Sequence, residues 1–168
     1  MTGRPTDLLV TPRGCLRFMG LHFPCVLGRA GVTGNKREGD GATPAGTHRL
    51  VGMLYRPDRI ARPADWALPI RPRDIWSDDP ADPDYNLMGR TPSPFSHERL
   101  ARADRLYDLV ILTDWNWPRA VPGRGSAIFL HRWRGPGHPT EGCVALAPGH
   151  LAWIAPRIRH ETRLVVKV

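Results

Sequence analysis

The sequence predicts a mainly β fold, a β-sandwich with two short helices forming one domain over residues 1–168. Three observations carry this. The 168 residues include 18 prolines and 17 glycines, so turns are dense and long elements are scarce. Many short segments show β-branched or alternating apolar patterns. Only two segments read as helices, and many short strands with few helices favour a sandwich. No internal repeat is visible.

In chain order, DLLVT (7–11), GCLRF (14–18) and HFPCVLG (22–28) read as strands, with Pro12–Gly14 turning between the first two. Gly31–Gly46 is a glycine-rich loop. It is no phosphate-binding loop, because its lysine is not placed as G-x-x-x-x-G-K-[ST] requires, and Lys36 and Arg37 are expected in an exposed turn. THRLVGMLY (47–55) is a strand. Residues 56–95, rich in Pro, Asp and Trp, form an extended connection packed by its tryptophans, long enough to suggest that it lines a site. SHERLARAD (96–104) is expected as a helix with Ser96 as N-cap and Arg99, Arg102 and Arg105 near its end. YDLVILT (107–113) and SAIFLH (126–131) are buried strands flanking a turn-rich loop, and the second delivers His131 at its end. CVALA (143–147) begins another strand. Pro148 suits the first turn of a helix over 149–158 that stops near Pro156, and TRLVVKV (162–168) alternates and closes the sheet.

Lys plus Arg number 24 against 16 Asp plus Glu, a formal charge of +8. Such a chain is drawn to polyanions, whether nucleic acid or a carboxylate-rich polymer such as peptidoglycan, although solubility alone also explains the charge. Most of the positive charge is Arg, which suits bidentate carboxylate recognition. No apolar run reaches the roughly 18–20 residues of a membrane span. The opening MTGRPTDLLVTPRG shows no secretory signal. Of the cysteines, Cys15 and Cys25 read as small buried hydrophobes, with a hairpin disulfide as the minor alternative.

The chemistry concentrates in IFLHRWRGPGHPTEGCVAL, residues 128–146. A strand ends on His131, a Gly/Pro-rich excursion follows, and the chain returns through Thr140-Glu141-Gly142-Cys143 into a strand. Cysteine attacks only as thiolate, with an ordinary pKa near ~8.5, so it needs a base beside it. His131 supplies one, and His138 is the second candidate. Gly142 admits a substrate carbonyl close to the backbone, and the amides of Gly142 and Cys143 then meet the oxyanion. The alternatives are a core cysteine that never meets the histidine, or a zinc site from His131, His138, Cys143 and His150, whose gaps match no standard zinc pattern.

The run T-x-G-C-V-x-L after a strand-terminal histidine resembles the L,D-transpeptidase (YkuD) catalytic domain. The match extends to Ala42-Thr43-Pro44-Ala45-Gly46-Thr47, to Trp76-Ser77-Asp78-Asp79-Pro80 with Tyr85-Asn86, and to Gly125–His131, and it is similar to a compact, single-domain branch of that family. The resemblance implies a YkuD-like β-sandwich that acts on peptidoglycan stem peptides without metal or organic cofactor. It implies that Cys143 attacks an L-centre carbonyl and forms a thioester. His131, oriented by a backbone carbonyl at Arg132 or nearby, moves the proton. A diaminopimelate side-chain amine then resolves the thioester into a cross-link of the 1–3 type favoured in the compact branch, or of the 3–3 type. Water as acceptor makes the enzyme a peptidase instead. A periplasmic monomer with no nucleic-acid partner is expected, and a non-catalytic module that binds cell wall or nucleic acid is the reading of another class.

This sequence departs from the family's usual S-H-G-C-[IV]-R. Thr140 replaces the serine, Glu141 the histidine and Ala145 the arginine, and Arg132 stands where a glycine usually follows the first histidine. Arg132 or Arg134 is expected to replace the missing contact to a substrate carboxylate. Trp133, Thr140, Glu141, Tyr85 and Asn86 are the remaining candidates for substrate binding, and Trp115 and Trp117 are candidates to line a groove. Glu141 reads either as a solvated loop charge or as a selector for a cationic amine.

Overall fold

A computed structural model describes Arg4 and residues 6–168. The elements run β1 (Leu8–Thr11), β2 (Cys15–Phe18), β3 (Leu21–Val26), β4 (Val32–Thr33), β5 (Thr43–Pro44), β6 (Gly46–Tyr55), β7 (Leu68–Pro69), β8 (Asp74–Ser77), β9 (Met88–Arg90), β10 (His97–Arg99), β11 (Leu109–Thr113), β12 (Phe129–Arg132), β13 (Val144–Leu146), α1 (Pro148–Ile154), a 3-10 turn (Ala155–Arg157) and β14 (Arg163–Val166). The fold is mainly β, as expected. No helix among the described residues is long and apolar enough to cross a membrane.

The main sheet runs β11-β12-β13-β3-β2-β1-β14-β6-β7, and β6 also pairs with β11, so the strands close on themselves. Two strands make the corners. β6 pairs with β14 through Gly46–Arg49 and with β11 through Leu50–Tyr55. β3 pairs with β2 through Leu21–Pro24 and with β13 through Cys25–Val26. Strands that switch sheets in this way turn the corners of a packed two-layer structure. Between the layers lies a core that includes Leu8, Leu16, Phe23, Leu50, Ile111, Leu130, Val144 and Leu146, capped by Leu151 and Ile154 of α1.

Alternation along β11, β12 and β13 sends the intervening residues to the opposite face. There Val110, Leu112, Phe129 and Cys143 join a second apolar cluster with Trp76, Leu100 and Tyr107. The long connection from β6 to β11 covers this face with the small sheet β10-β8-β9. Trp76 packs edge-on against Phe129, with ring centroids 5.0 Å apart. The expected packing of residues 56–95 by tryptophan is thus found.

One expected helix is absent. Residues 97–99 of SHERLARAD form β10, registered against Trp76 and its neighbours in β8. A helix of about nine residues is marginal on its own in water, and here the open edge of β8 offers backbone partners. The second expected helix is present as α1, with Pro148 in its first turn. The expected turn at Lys36 is buried: its ammonium meets Asp40 at 2.5 Å and donates to the Arg37 carbonyl at 2.8 Å. All three cysteines are free. Cys15 is registered with Pro24, so Cys15 and Cys25 point to opposite faces, and a hairpin disulfide is out of reach.

Candidate active site

β12 and β13 run parallel, with Leu130 beside Val144 and His131 beside Ala145. Cys143 immediately precedes β13. Its side chain therefore emerges on the same face as His131, from the neighbouring strand and two residues earlier. Both line a cavity of about 440 Å³, whose walls include Glu98, Arg102, Tyr107, Trp133, Arg134, His138, Thr140, Glu141 and Ala145. The fold thus joins two residues twelve positions apart in sequence.

Cys143 is buried, 8% exposed as a residue. Its thiol donates to the Ala127 carbonyl at 3.0 Å and accepts from the Phe129 amide at 3.3 Å. Burial pushes its pKa up to about 12, and the nearby Glu98 charge adds to the rise. His131 is 6% exposed, and its Nδ1 lies 2.7 Å from the Arg132 carbonyl. A carbonyl only accepts, so Nδ1 carries the proton and Nε2 keeps its lone pair. Burial lowers the His131 pKa to about 4, and Arg102 and Arg134 push in the same direction while the Arg132 carbonyl opposes them. The resting pair is therefore a neutral thiol and a neutral imidazole.

The loop before Cys143 is fixed by its own backbone. The Thr140 hydroxyl donates to the Cys143 carbonyl at 2.6 Å and accepts from the Gly142 amide at 3.1 Å. The Gly142 amide is thus occupied, contrary to its expected role of meeting a substrate oxyanion. Gly142 is required for another reason. Its φ is +142°, and a Cβ there would sit 2.8 Å from the Ala42 carbonyl, so the close approach is made by the A-T-P segment and not by a substrate. Thr43 anchors that segment by accepting from the Gly28 amide at 2.9 Å.

The other candidates divide. Trp133, Arg134, Thr140, Glu141 and His138 line the cavity. Arg132 does not. Alternation along β12 turns it away, and it pairs with Asp108 at 3.1 Å, where Arg59 and Arg105 also converge. Tyr85 and Asn86 are buried outside the cavity wall. The Tyr85 hydroxyl donates to Glu38 and accepts from the Gly125 amide. Asn86 accepts from Trp76 Nε1 at 2.9 Å and from the Ala127 amide at 3.0 Å, and donates to the carbonyls of Trp115 and Asn116. Trp115 and Trp117 also lie outside the wall. Glu141 pairs with Arg29 at the mouth. His150 packs on Phe23 at 5.3 Å, and among the described residues no three metal-binding side chains converge.

Sequence reading missed Glu98, Arg102 and Tyr107. Tyr107 presents its ring edge-on to His131 at 5.2 Å, donates its hydroxyl to Glu98, and carries the Arg102 guanidinium 5.1 Å over its ring. The charges of 96–104 resemble a solvated helix face, and nothing local marks their approach to His131.

The chain is thus a closed β fold with a buried thiol and an oriented imidazole on one face of adjacent strands. The sequence profile of the L,D-transpeptidase catalytic domain family, YkuD, matches residues 19–166, and the chain belongs to that family. Among solved structures the chain is similar to an L,D-transpeptidase from Mycobacterium smegmatis, with 12% identity and a TM-score of 0.45 over 96% of this chain and 59% of that one. It is also similar to the helical cell shape determining protein Pgp2 from Campylobacter jejuni, with 16% identity and a TM-score of 0.45 over 96% of this chain and 46% of that one. The chain therefore spans about half of each of these proteins. Comparison with curated protein sequences returns no match.

Proposed function

We propose that this chain is a peptidoglycan L,D-transpeptidase that works through a Cys143 thioester. The observation that carries the reading is the opening of Cys143 and His131 onto one cavity, with His131 Nδ1 held by the Arg132 carbonyl so that Nε2 is the basic nitrogen. As a stem peptide binds, His131 takes the thiol proton while sulfur attacks the carbonyl of an L-centre residue. The Arg132 carbonyl stabilises the imidazolium that results. The Cys143 amide meets the oxyanion, and the Gly142 amide, tied to Thr140, shapes the loop. His131 then protonates the leaving amine, and the thioester remains. A diaminopimelate side-chain amine attacks it, giving a 1–3 cross-link, with a 3–3 cross-link as the other product of the same chemistry.

The cavity suits such a substrate. Arg134 lines it and has no ion-pair partner among the described residues, so it fits a stem-peptide carboxylate. Arg102 also lines it but is already chelated by Asp104. The same reading takes residues 1–168 as one catalytic domain, monomeric and acting at the cell wall in the periplasm.

Muropeptide analysis with purified protein tests the proposal. Wild type is expected to form dimers, whereas Cys143→Ala and His131→Ala form none. A carbapenem is expected to leave a mass adduct on Cys143. Shortened monomers without dimers would replace transfer by hydrolysis. Muropeptides left unchanged by wild type and variants alike would leave a binding module.

A further inference from the structure

We infer that Glu98 is the residue that selects a cationic amine as the acyl acceptor, an inference that rests on the Cys143 thioester proposed above. Two carboxylates line the cavity, Glu98 and Glu141. Glu141 is the weaker candidate, because it pairs with Arg29 and its side chain is 78% exposed, so water and a partner already screen it. Glu98 is half-buried in the cavity wall and carries no salt bridge among the described residues. One of its oxygens, Oε2, receives the Tyr107 hydroxyl, which fixes the carboxylate. No hydrogen bond to the other, Oε1, is found among the described residues; burial raises the carboxyl pKa, and the Tyr107 hydroxyl opposes the rise.

Its position is coupled to both reacting groups. Tyr107, which holds it, touches the imidazole of His131, and the negative charge of Glu98 is felt at the Cys143 sulfur. A carboxylate there hinders formation of a thiolate, so it does not assist the first half of the reaction. It assists the second. An amine enters as an ammonium ion, and a fixed carboxylate beside the thioester offers that ion a charge-assisted hydrogen bond. One ammonium proton passes through Glu98 to solvent. The free amine attacks the thioester carbonyl, its second proton passes through His131 to the departing sulfur, and amide and free thiol result.

Glu98→Gln is the test, because glutamine keeps the shape and still accepts from Tyr107. Each form is acylated with a donor stem peptide, then offered either a cationic amine or hydroxylamine, which is neutral near pH 7. The variant is expected to acquire the Cys143 acyl adduct at wild-type rate or faster. Its KM for the cationic amine should rise by about tenfold or more, the loss of one charge-assisted bond, with the rate toward hydroxylamine unchanged. Tyr107→Phe keeps the charge but no longer fixes the carboxylate, so it should raise the KM for the cationic amine less than Glu98→Gln does. In wild type the KM for the cationic amine should also rise with ionic strength while that for hydroxylamine stays constant. Equal losses toward both acceptors, or an unchanged KM for the amine, would overturn the assignment. A wild type that forms no adduct on Cys143 would instead overturn the thioester reading, and this inference with it.

Discussion

The Ala127 carbonyl accepts the Cys143 thiol at 3.0 Å, from a residue whose own backbone is left-handed, with φ at 51°. Non-glycine residues rarely adopt that conformation, and it persists where the surroundings enforce it. Here Asn86 enforces it by accepting from the Ala127 amide at 3.0 Å. The sulfur is thus held by a carbonyl that a residue 41 positions earlier in the chain keeps in place.

Asn86→Ala should therefore act on both stability and acylation. It removes partners from four buried or part-buried groups, and alanine tolerates φ of 59° poorly. A loss of roughly 2–4 kcal/mol in urea unfolding is expected, together with slower carbapenem acylation of the fraction that stays folded. Unchanged acylation would separate Asn86 from the thiol.

The thiol should be unreactive at rest. With its pKa near 12, Cys143 holds little thiolate at neutral pH. Alkylation by iodoacetamide at about pH 7.5 should run roughly a thousandfold slower than for a free cysteine of pKa ~8.5. His131→Ala should leave that slow rate unchanged while abolishing acyl transfer. Rapid alkylation of wild type that disappears in His131→Ala would show a preformed thiolate–imidazolium pair instead.

Acid should destabilise the fold through His131. Its pKa is about 4 in the folded chain against 6.5 ordinarily, so between those values the unfolded chain binds more protons. The stability gained by burying a neutral imidazole is complete above pH 6.5 and is lost as pH falls through 4. The loss is on the order of 3 kcal/mol. Thermal melts across this range should show it, and His131→Asn should flatten the dependence. If His131 is the base proposed above, transfer by wild type should stay active down to the same lower limit, since the imidazole stays neutral until then.

Gly142→Ala should disturb the fold and the nucleophile together. Its Cβ would lie 2.8 Å from the Ala42 carbonyl and 3.2 Å from Ile128, at a φ that alanine rarely adopts. A cost on the order of 3 kcal/mol is expected from chemical denaturation. Wild-type stability in this variant would contradict the close approach.

Periodicity alone outlined most strands. The β-branched run of YDLVILT, the apolar alternation of TRLVVKV, the Pro148 start of α1 and the histidine near the end of SAIFLH all reappear in the structure. Segment 96–104 did not, because its local helix signals compete with an edge strand that sequence does not display. Tyr85 and Asn86 carried a recognisable motif, yet their side chains brace backbone outside the cavity wall. A motif marks a constraint without saying whether ligand or protein imposes it.

By itself the sequence determined the class of fold and the family, and it singled out Cys143 and His131 as the candidate pair, because strand alternation and a short ordered motif are local properties of the chain. Only the tertiary structure decided what surrounds that pair. The face to which Arg132 turns, the fixing of Ala127 by Asn86, the occupation of the Gly142 amide by Thr140 and the arrival of Glu98 beside Tyr107 depend on contacts between distant segments. Pairing register and packing set those contacts, and no local pattern encodes them.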